Sequence, residues 1–105
     1  MASFHLVREA ELDLDSILEH IALDSLDSAL TVHERFLEVF QLLAENPDAG
    51  HCRKDLTARP IRFFPVYSYL VVYLSDTSPI EVVRIFGSSQ DVKTILGGAP
   101  QDSIE

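Results

Sequence analysis

Ile61-Arg62-Phe63-Phe64-Pro65-Val66-Tyr67-Ser68-Tyr69-Leu70-Val71-Val72-Tyr73-Leu74 is the stretch that decides how this chain folds. β-branched and aromatic residues dominate it, the composition of a pleated, packed surface. Residues 61–64 and 67–74 read as strands, and Pro65 between them marks a bend or an edge, because proline gives no N–H to a ladder. Residues 80–86 form a third run, reached through the hairpin-type loop Asp76-Thr77-Ser78-Pro79. Three strands so close together predict an antiparallel meander. Alternation divides the middle strand into Ser68, Leu70, Val72 and Leu74 on one face and Tyr67, Tyr69, Val71 and Tyr73 on the other. The aliphatic set is expected to meet the rest of the protein and the tyrosines to face away. The same parity groups Arg84 with Val82 and Phe86.

Upstream, the period changes. Leu14, Ile17, Leu18, Ile21 and Ala22 recur at helical spacing, with Glu11, Asp13, Asp15, Glu19 and His20 mostly opposite. Asp24-Ser25-Leu26-Asp27-Ser28 breaks this helix and offers N-caps to the next, since short oxygen-bearing side chains accept from free N–H groups. Ala29, Val32, Phe36, Val39, Phe40 and Leu43 then mark a second stripe, ended by Asn46-Pro47. Two amphipathic helices with so short a joint predict an antiparallel hairpin. Ahead of them, Phe4-His5-Leu6-Val7 alternates as a first strand. After the meander, Ser88-Ser89-Gln90-Asp91 has the spacing of a helix start, and Val92, Ile95 and Leu96 fit a short C-terminal helix stopped by Gly97-Gly98. The expected fold is α+β, β-α-α-β-β-β: an antiparallel meander packed on a helical hairpin. All 105 residues read as one domain, with 97–105 a loose tail.

Composition narrows the function. Hydrophobic residues at 47% fit a packed globular domain. No apolar run approaches the ~20 residues that span a bilayer, and no signal peptide is visible, so the expectation is a cytoplasmic protein. Cys52 is the only cysteine, which excludes a disulfide framework. The net charge of −9 disfavours generic nucleic-acid binding, which needs a basic surface to displace counterions. Charge is also unevenly placed. Residues 1–50 carry 11 acids against 2 bases, whereas 51–86 carry 5 bases (Arg53, Lys54, Arg59, Arg62, Arg84) against 3 acids. The middle segment is therefore either a local anion-facing patch or the basic remainder of a chain with a solvated acidic hairpin.

Chemical motifs are sparse. His5, His20, His33 and His51 are scattered, and none stands at metal-ligand spacing with Cys52, so no metal and no cofactor is expected. No nucleophile elbow, phosphate-binding glycine loop or dinucleotide fingerprint occurs. RNA cleavage would need cations and an acid–base group; Arg53, Arg62 and Arg84 can supply the cations, but no histidine falls on the meander. Tyr67, Tyr69 and Tyr73 can donate protons, yet tyrosines beside arginines are also the make-up of a protein-binding hot spot. Alternatively, Arg62 and Arg84 run along the sheet and pair with Glu81 or Asp55.

The ordered landmarks resemble the ParE-type toxins of plasmid-stabilisation systems, within the wider RelE-like fold. They are Phe4-His5-Leu6-Val7-Arg8-Glu9-Ala10 with Asp13-Leu14-Ile17, Leu43-Ala44-Glu45-Asn46-Pro47-Asp48-Ala49-Gly50 and Arg53-Lys54-Asp55-Leu56. Ile61-Arg62-Phe63-Phe64-Pro65-Val66, Tyr69-Leu70-Val71-Val72-Tyr73 and Pro79-Ile80-Glu81-Val82-Val83-Arg84-Ile85-Phe86 complete them, so the resemblance runs from Phe4 to Leu96. It implies a toxin that inhibits DNA gyrase by binding rather than by catalysis. It also implies neutralisation by a cognate ParD-like antitoxin, in a hetero-oligomer, with no membrane partner and no sequence-specific nucleic acid. RelE-branch relatives instead cleave mRNA on the ribosome, and a weakly toxic or inactive binding module is the remaining alternative. On this reading Arg53, Arg62, Arg84, Gln90 and Asp91 are candidates for target binding and toxicity, and Tyr67, Tyr69 and Tyr73, together with the helical hairpin, for antitoxin contact. One departure stands out. Many ParE-like chains read His-Gly-x-Arg-Asp after the last strand, where this one has Gly87-Ser88-Ser89-Gln90-Asp91.

Overall fold

A computed structural model describes residues 3–52 and 61–87. Strand β1 (Phe4–Leu6) leads into helix α1 (Arg8–Ala22), then α2 (Leu26–Glu45) and a single 3-10 turn, Pro47–Ala49. Strands β2 (His51–Cys52), β3 (Ile61–Val66), β4 (Tyr69–Leu74) and β5 (Ile80–Phe86) follow. The expected C-terminal helix over 88–96 and the tail lie outside the described residues.

Local chemistry sets the helix limits. Glu9 and Glu11 in the first turn of α1, and Asp27 in that of α2, complement the positive end of each helix dipole. Ser25 caps α2, its hydroxyl accepting from the Ser28 N–H at 3.1 Å. At the other end, Asn46 donates from Nδ2 to the Leu42 carbonyl at 3.1 Å, and Pro47 cannot extend the helix.

The strands form one five-stranded sheet in the order β1-β5-β4-β3-β2. β3, β4 and β5 are the expected antiparallel meander, and β1 adds in parallel to β5, with Phe4 opposite Ile80 and Leu6 opposite Val82. β2, too short for an alternation to show, pairs only with Arg62 and Phe63. Pro65 therefore does not end β3. It sits beyond the residues paired with β2, where a missing N–H costs nothing on that side.

Both helices cover one face of the sheet. Ala10 and Leu14 of α1 and Phe36, Val39, Phe40 and Leu43 of α2 meet Val66, Val71, Tyr73, Ile80, Val82 and Ile85. Here the expected choice of face is reversed. Tyr69, Val71 and Tyr73 turn toward the helices, while Leu70, Val72 and Leu74 join a second cluster with Ile61, Phe63 and Phe86. Alternation sorts residues into two sets but does not say which set goes in when both are apolar. The tyrosine set is chosen because the ring of Tyr69 finds Phe36, centroids 5.9 Å apart, and the Tyr73 hydroxyl finds partners after α2. The second face is also well covered: Ile61, Phe63, Val72 and Phe86 are at most 3% exposed.

The parity of Arg84 is corrected too. The β4–β5 register shifts between Val72 and Tyr73, so Tyr73 faces Val82 whereas Val72 faces Arg84. The extra residue, Val83, is a bulge that changes the phase of β5. Val82 consequently belongs to the helix-side cluster and Phe86 to the other.

Candidate functional site

Two polar constellations hold three of the sequence-designated residues, Arg62, Arg84 and Tyr73. The first is built on the loop after α2. Tyr73, with no exposed surface, accepts from the Gly50 N–H at 2.8 Å and donates to the Pro47 carbonyl at 2.7 Å. Arg62, opposite Tyr73 on the neighbouring strand, donates from Nη1 to the Gly50 carbonyl at 2.9 Å. Its Nη2 lies 3.5 Å from Oδ1 of the exposed Asp48. The loop has room for this only because residue 50 is glycine. A Cβ there would stand 2.7 Å from the Tyr73 hydroxyl oxygen and 2.9 Å from the Phe63 carbonyl. Burial pushes the Tyr73 phenol above its ordinary pKa, against the smaller opposing effects of the Gly50 hydrogen bond and the Arg62 charge. Tyr73 thus holds its proton and spends it on Pro47.

The second constellation closes the other side. β1 pairs with β5 only as far as Val82, and among the described residues no strand continues along that side of β5. Asp13 of α1 takes the strand's place: its Oδ2 accepts from the Ile85 N–H at 2.9 Å. The same carboxylate grips Arg84 with two prongs, Nε to Oδ2 at 2.8 Å and Nη2 to Oδ1 at 3.3 Å. The guanidinium carbon also lies 4.9 Å from the Phe86 ring centroid. The hydrogen bond to Asp13 is the main cause that raises the Arg84 pKa, so the guanidinium stays charged.

The structure therefore separates residues that the sequence grouped together. Arg62 and Arg84 stand on β3 and β5 with β4 between them, and each is engaged within the fold. Among the described residues their ion-pair partners are Asp48 and Asp13 rather than Glu81, and Asp55 lies outside the described residues. The tyrosines form no common exposed stripe. Tyr73 is buried and Tyr69 half-buried, while Tyr67 is 62% exposed in the two-residue turn between β3 and β4. Tyr67 has a φ of 56°, a left-handed conformation that side chains disfavour. Arg53, Gln90 and Asp91 lie outside the described residues. Asp13 and Gly50 were not singled out as functional in the sequence, although one signal was there. Asp13 falls three residues after Ala10 and four before Ile17, at the border of the apolar stripe of α1 rather than opposite it, where a carboxylate needs a partner.

Among the described residues, no three His, Cys, Asp or Glu side chains converge as a metal site. No described helix is long and apolar enough to cross a membrane. What the site offers is positioned polar contact around a well-packed sheet.

Comparison with known proteins supplies the relationship. The family profile of the ParE toxin of the type II toxin–antitoxin system, parDE, matches residues 5–92. The chain belongs to the ParE toxin family. A solved chromosomal ParDE toxin–antitoxin system from P. aeruginosa contains a chain of the same fold, with a TM-score of 0.68 at 22% identity. The superposition covers 83% of this ParE toxin and 96% of that chain. No curated protein matches it. Both constellations lie within the ParE match, and so does the departure at Gly87 and Gln90.

Proposed function

We propose that this ParE-family chain is the toxin of a type II pair, inhibiting DNA gyrase by binding and neutralised by a ParD-like antitoxin in a hetero-oligomer. The observation that carries this reading is the family match over 5–92, nearly the whole chain. The site geometry supports binding over ribonuclease chemistry. A sheet-borne RNA-cleaving site would draw on Arg62 or Arg84 for charge and a tyrosine for the proton, yet Arg62, Arg84 and Tyr73 are spent on Gly50, Asp13 and Pro47. Action in the cytoplasm, where gyrase and antitoxin are both met, belongs to the same proposal.

The test is a supercoiling and DNA-cleavage assay of gyrase with the purified protein, alone and with the antitoxin encoded beside it. Inhibition that the antitoxin reverses is the expected result, and it would show that Gly87 and Gln90 are compatible with activity. Ribosome-dependent mRNA cleavage by the same preparation, with gyrase unaffected, would overturn the proposal in favour of the ribonuclease branch.

A further inference from the structure

The two hairpin turns of the sheet are built from opposite materials. Ser75-Asp76-Thr77-Ser78-Pro79, between β4 and β5, is polar, as a solvent-facing loop should be. At the other end of β4, Tyr67 and Ser68 alone join β3 to β4. Two-residue hairpin loops favour glycine, asparagine or aspartate where φ is positive, yet here Tyr67 holds that place at φ 56°. The core does not account for the choice, since the ring stands in solvent. A backbone held in a disfavoured conformation to display one side chain points to a use for that side chain.

Around the ring, charge is scarce. No Asp, Glu, Lys, Arg or His occurs between Arg62 and Asp76, in a chain of net charge −9. Exposed Pro65 and half-buried Leu70 face each other across β3 and β4. Leu70 pairs in turn with Phe86, over whose ring the Arg84 guanidinium carbon lies at 4.9 Å. Tyrosine and arginine beside uncharged apolar surface have the make-up of an interface centre. Gln90 and Asp91, candidates for target contact, follow Phe86 by four and five residues.

Shape selects the partner. A rigid ring on a two-residue turn is a knob, and a knob needs a preformed concavity, which a folded protein offers and a flexible wrapping segment does not. A second copy of the chain brings the same knob and the same charge of −9, so neither shape nor charge matches. We propose that the β3–β4 turn is a contact for the protein that this toxin inhibits, with the Tyr67 ring inserted into an apolar, ring-sized pocket of that target. This inference rests on the toxin reading above.

The test compares the full-length wild type with two variants. Tyr67→Asn tolerates the left-handed backbone but lacks the ring, and Tyr67→Phe keeps the ring. Tyr67→Asn is expected to raise the concentration that half-inhibits gyrase supercoiling by at least ~10-fold, with a melting temperature no lower than the wild type's. Tyr67→Phe should stay within about 3-fold of the wild type. Asp76→Asn, in the opposite turn, should leave inhibition as it was. Growth arrest of cells without antitoxin should follow the same order. Undiminished inhibition and arrest by Tyr67→Asn would overturn the assignment and leave the gyrase reading standing. Arrest by Tyr67→Asn that the antitoxin no longer relieves would move the turn to the antitoxin interface, and a wild-type dimer that this variant dissociates would make it a self-contact; either overturns the proposal. A wild type that arrests growth in a ring-dependent way without affecting gyrase keeps the turn as a target contact and removes gyrase as the target. A wild type inert toward both cells and gyrase removes both.

Discussion

Asp13 and Arg84, 71 positions apart in sequence, share a two-pronged ion pair whose carboxylate also holds the Ile85 N–H. One side chain of α1 thereby serves as the missing neighbour of β5 and as counter-ion to its only arginine. The pair is partly exposed, at 30% for the arginine side chain and 18% for the aspartate, so its Coulombic part is damped by water. Replacing Asp13 by alanine strands both the Ile85 N–H and the Arg84 charge and is expected to cost about 2 kcal/mol. Arg84→Ala should cost less, because Asp13 keeps Ile85, and Arg84→Lys should not restore the loss, because an ammonium cannot fork. Urea unfolding of the single and double variants measures this. If Arg84 instead contacts the target directly, Arg84→Ala loses inhibition at full stability, and Asp13→Ala does not.

Tyr73→Phe tests the loop anchor. It leaves the Gly50 N–H and the Pro47 carbonyl short of a partner and is expected to cost about 1–3 kcal/mol. The sign of the pH effect follows from the raised phenol pKa. The folded state favours the protonated form, so the stabilisation is intact below the ordinary tyrosine value of about 10 and is lost as pH climbs through the folded value. Thermal unfolding from neutral to alkaline pH should fall more steeply for the wild type than for Tyr73→Phe. Parallel curves would show that the phenol does not govern the alkaline limb.

Gly50→Ala is expected to destabilise by about 1–3 kcal/mol although its φ of −80° suits any residue. The cause is space. The new methyl would meet the Tyr73 hydroxyl at 2.7 Å, Cε1 of the same ring at 2.8 Å and the Phe63 carbonyl at 2.9 Å. The Tyr73→Phe background removes the first of these and leaves the other two, so the double variant should recover only part of the loss. Chemical denaturation of the four-member cycle checks it, and strict additivity would count against a shared contact.

Tyr67 behaves as a different kind of residue from its neighbours. Its left-handed backbone costs roughly 1 kcal/mol that glycine would not pay, and its ring lies in solvent. Tyr67→Gly is therefore expected to unfold no more easily than the wild type, while binding to the antitoxin weakens by more than ~1 kcal/mol if the ring is an anchor. Calorimetric titration reads the second quantity directly. Tyr69→Ala should instead lower stability, since its ring packs against Phe36.

The hairpin and the meander were legible because their periods differ so clearly: Phe36, Val39, Phe40 and Leu43 at helical spacing, then the dense β-formers from Ile61 onward. Which face of β4 meets the helices was not legible. Val71 and Val72 are equally apolar, and the deciding contacts of Tyr73 lie 23 and 26 residues upstream, at Gly50 and Pro47. The bulge at Val83 carries no glycine or other mark, and it alone moved Arg84 out of phase with Val82. β2 is two residues long and exists through its pairing with Phe63 and Arg62, which no local pattern announces. As for the candidate site, residue type drew attention to Arg62, Arg84 and Tyr73 as polar groups on a sheet. It did not show that their partners are the loop and α1, because those partners are chosen by tertiary approach.

The parallel pairing of β1 with β5 bears on the order in which the molecule is made. Phe4 leaves the ribosome 76 residues ahead of its partner Ile80. Asp13 waits as long for Arg84 and Ile85. The hairpin emerges with the core faces of Phe36 and Phe40 still lacking the strands that cover them. Closure of so distant a contact is slow compared with the local turns before it. The sheet of this fold thus cannot close until β5, which joins the first described strand to the last, has been made.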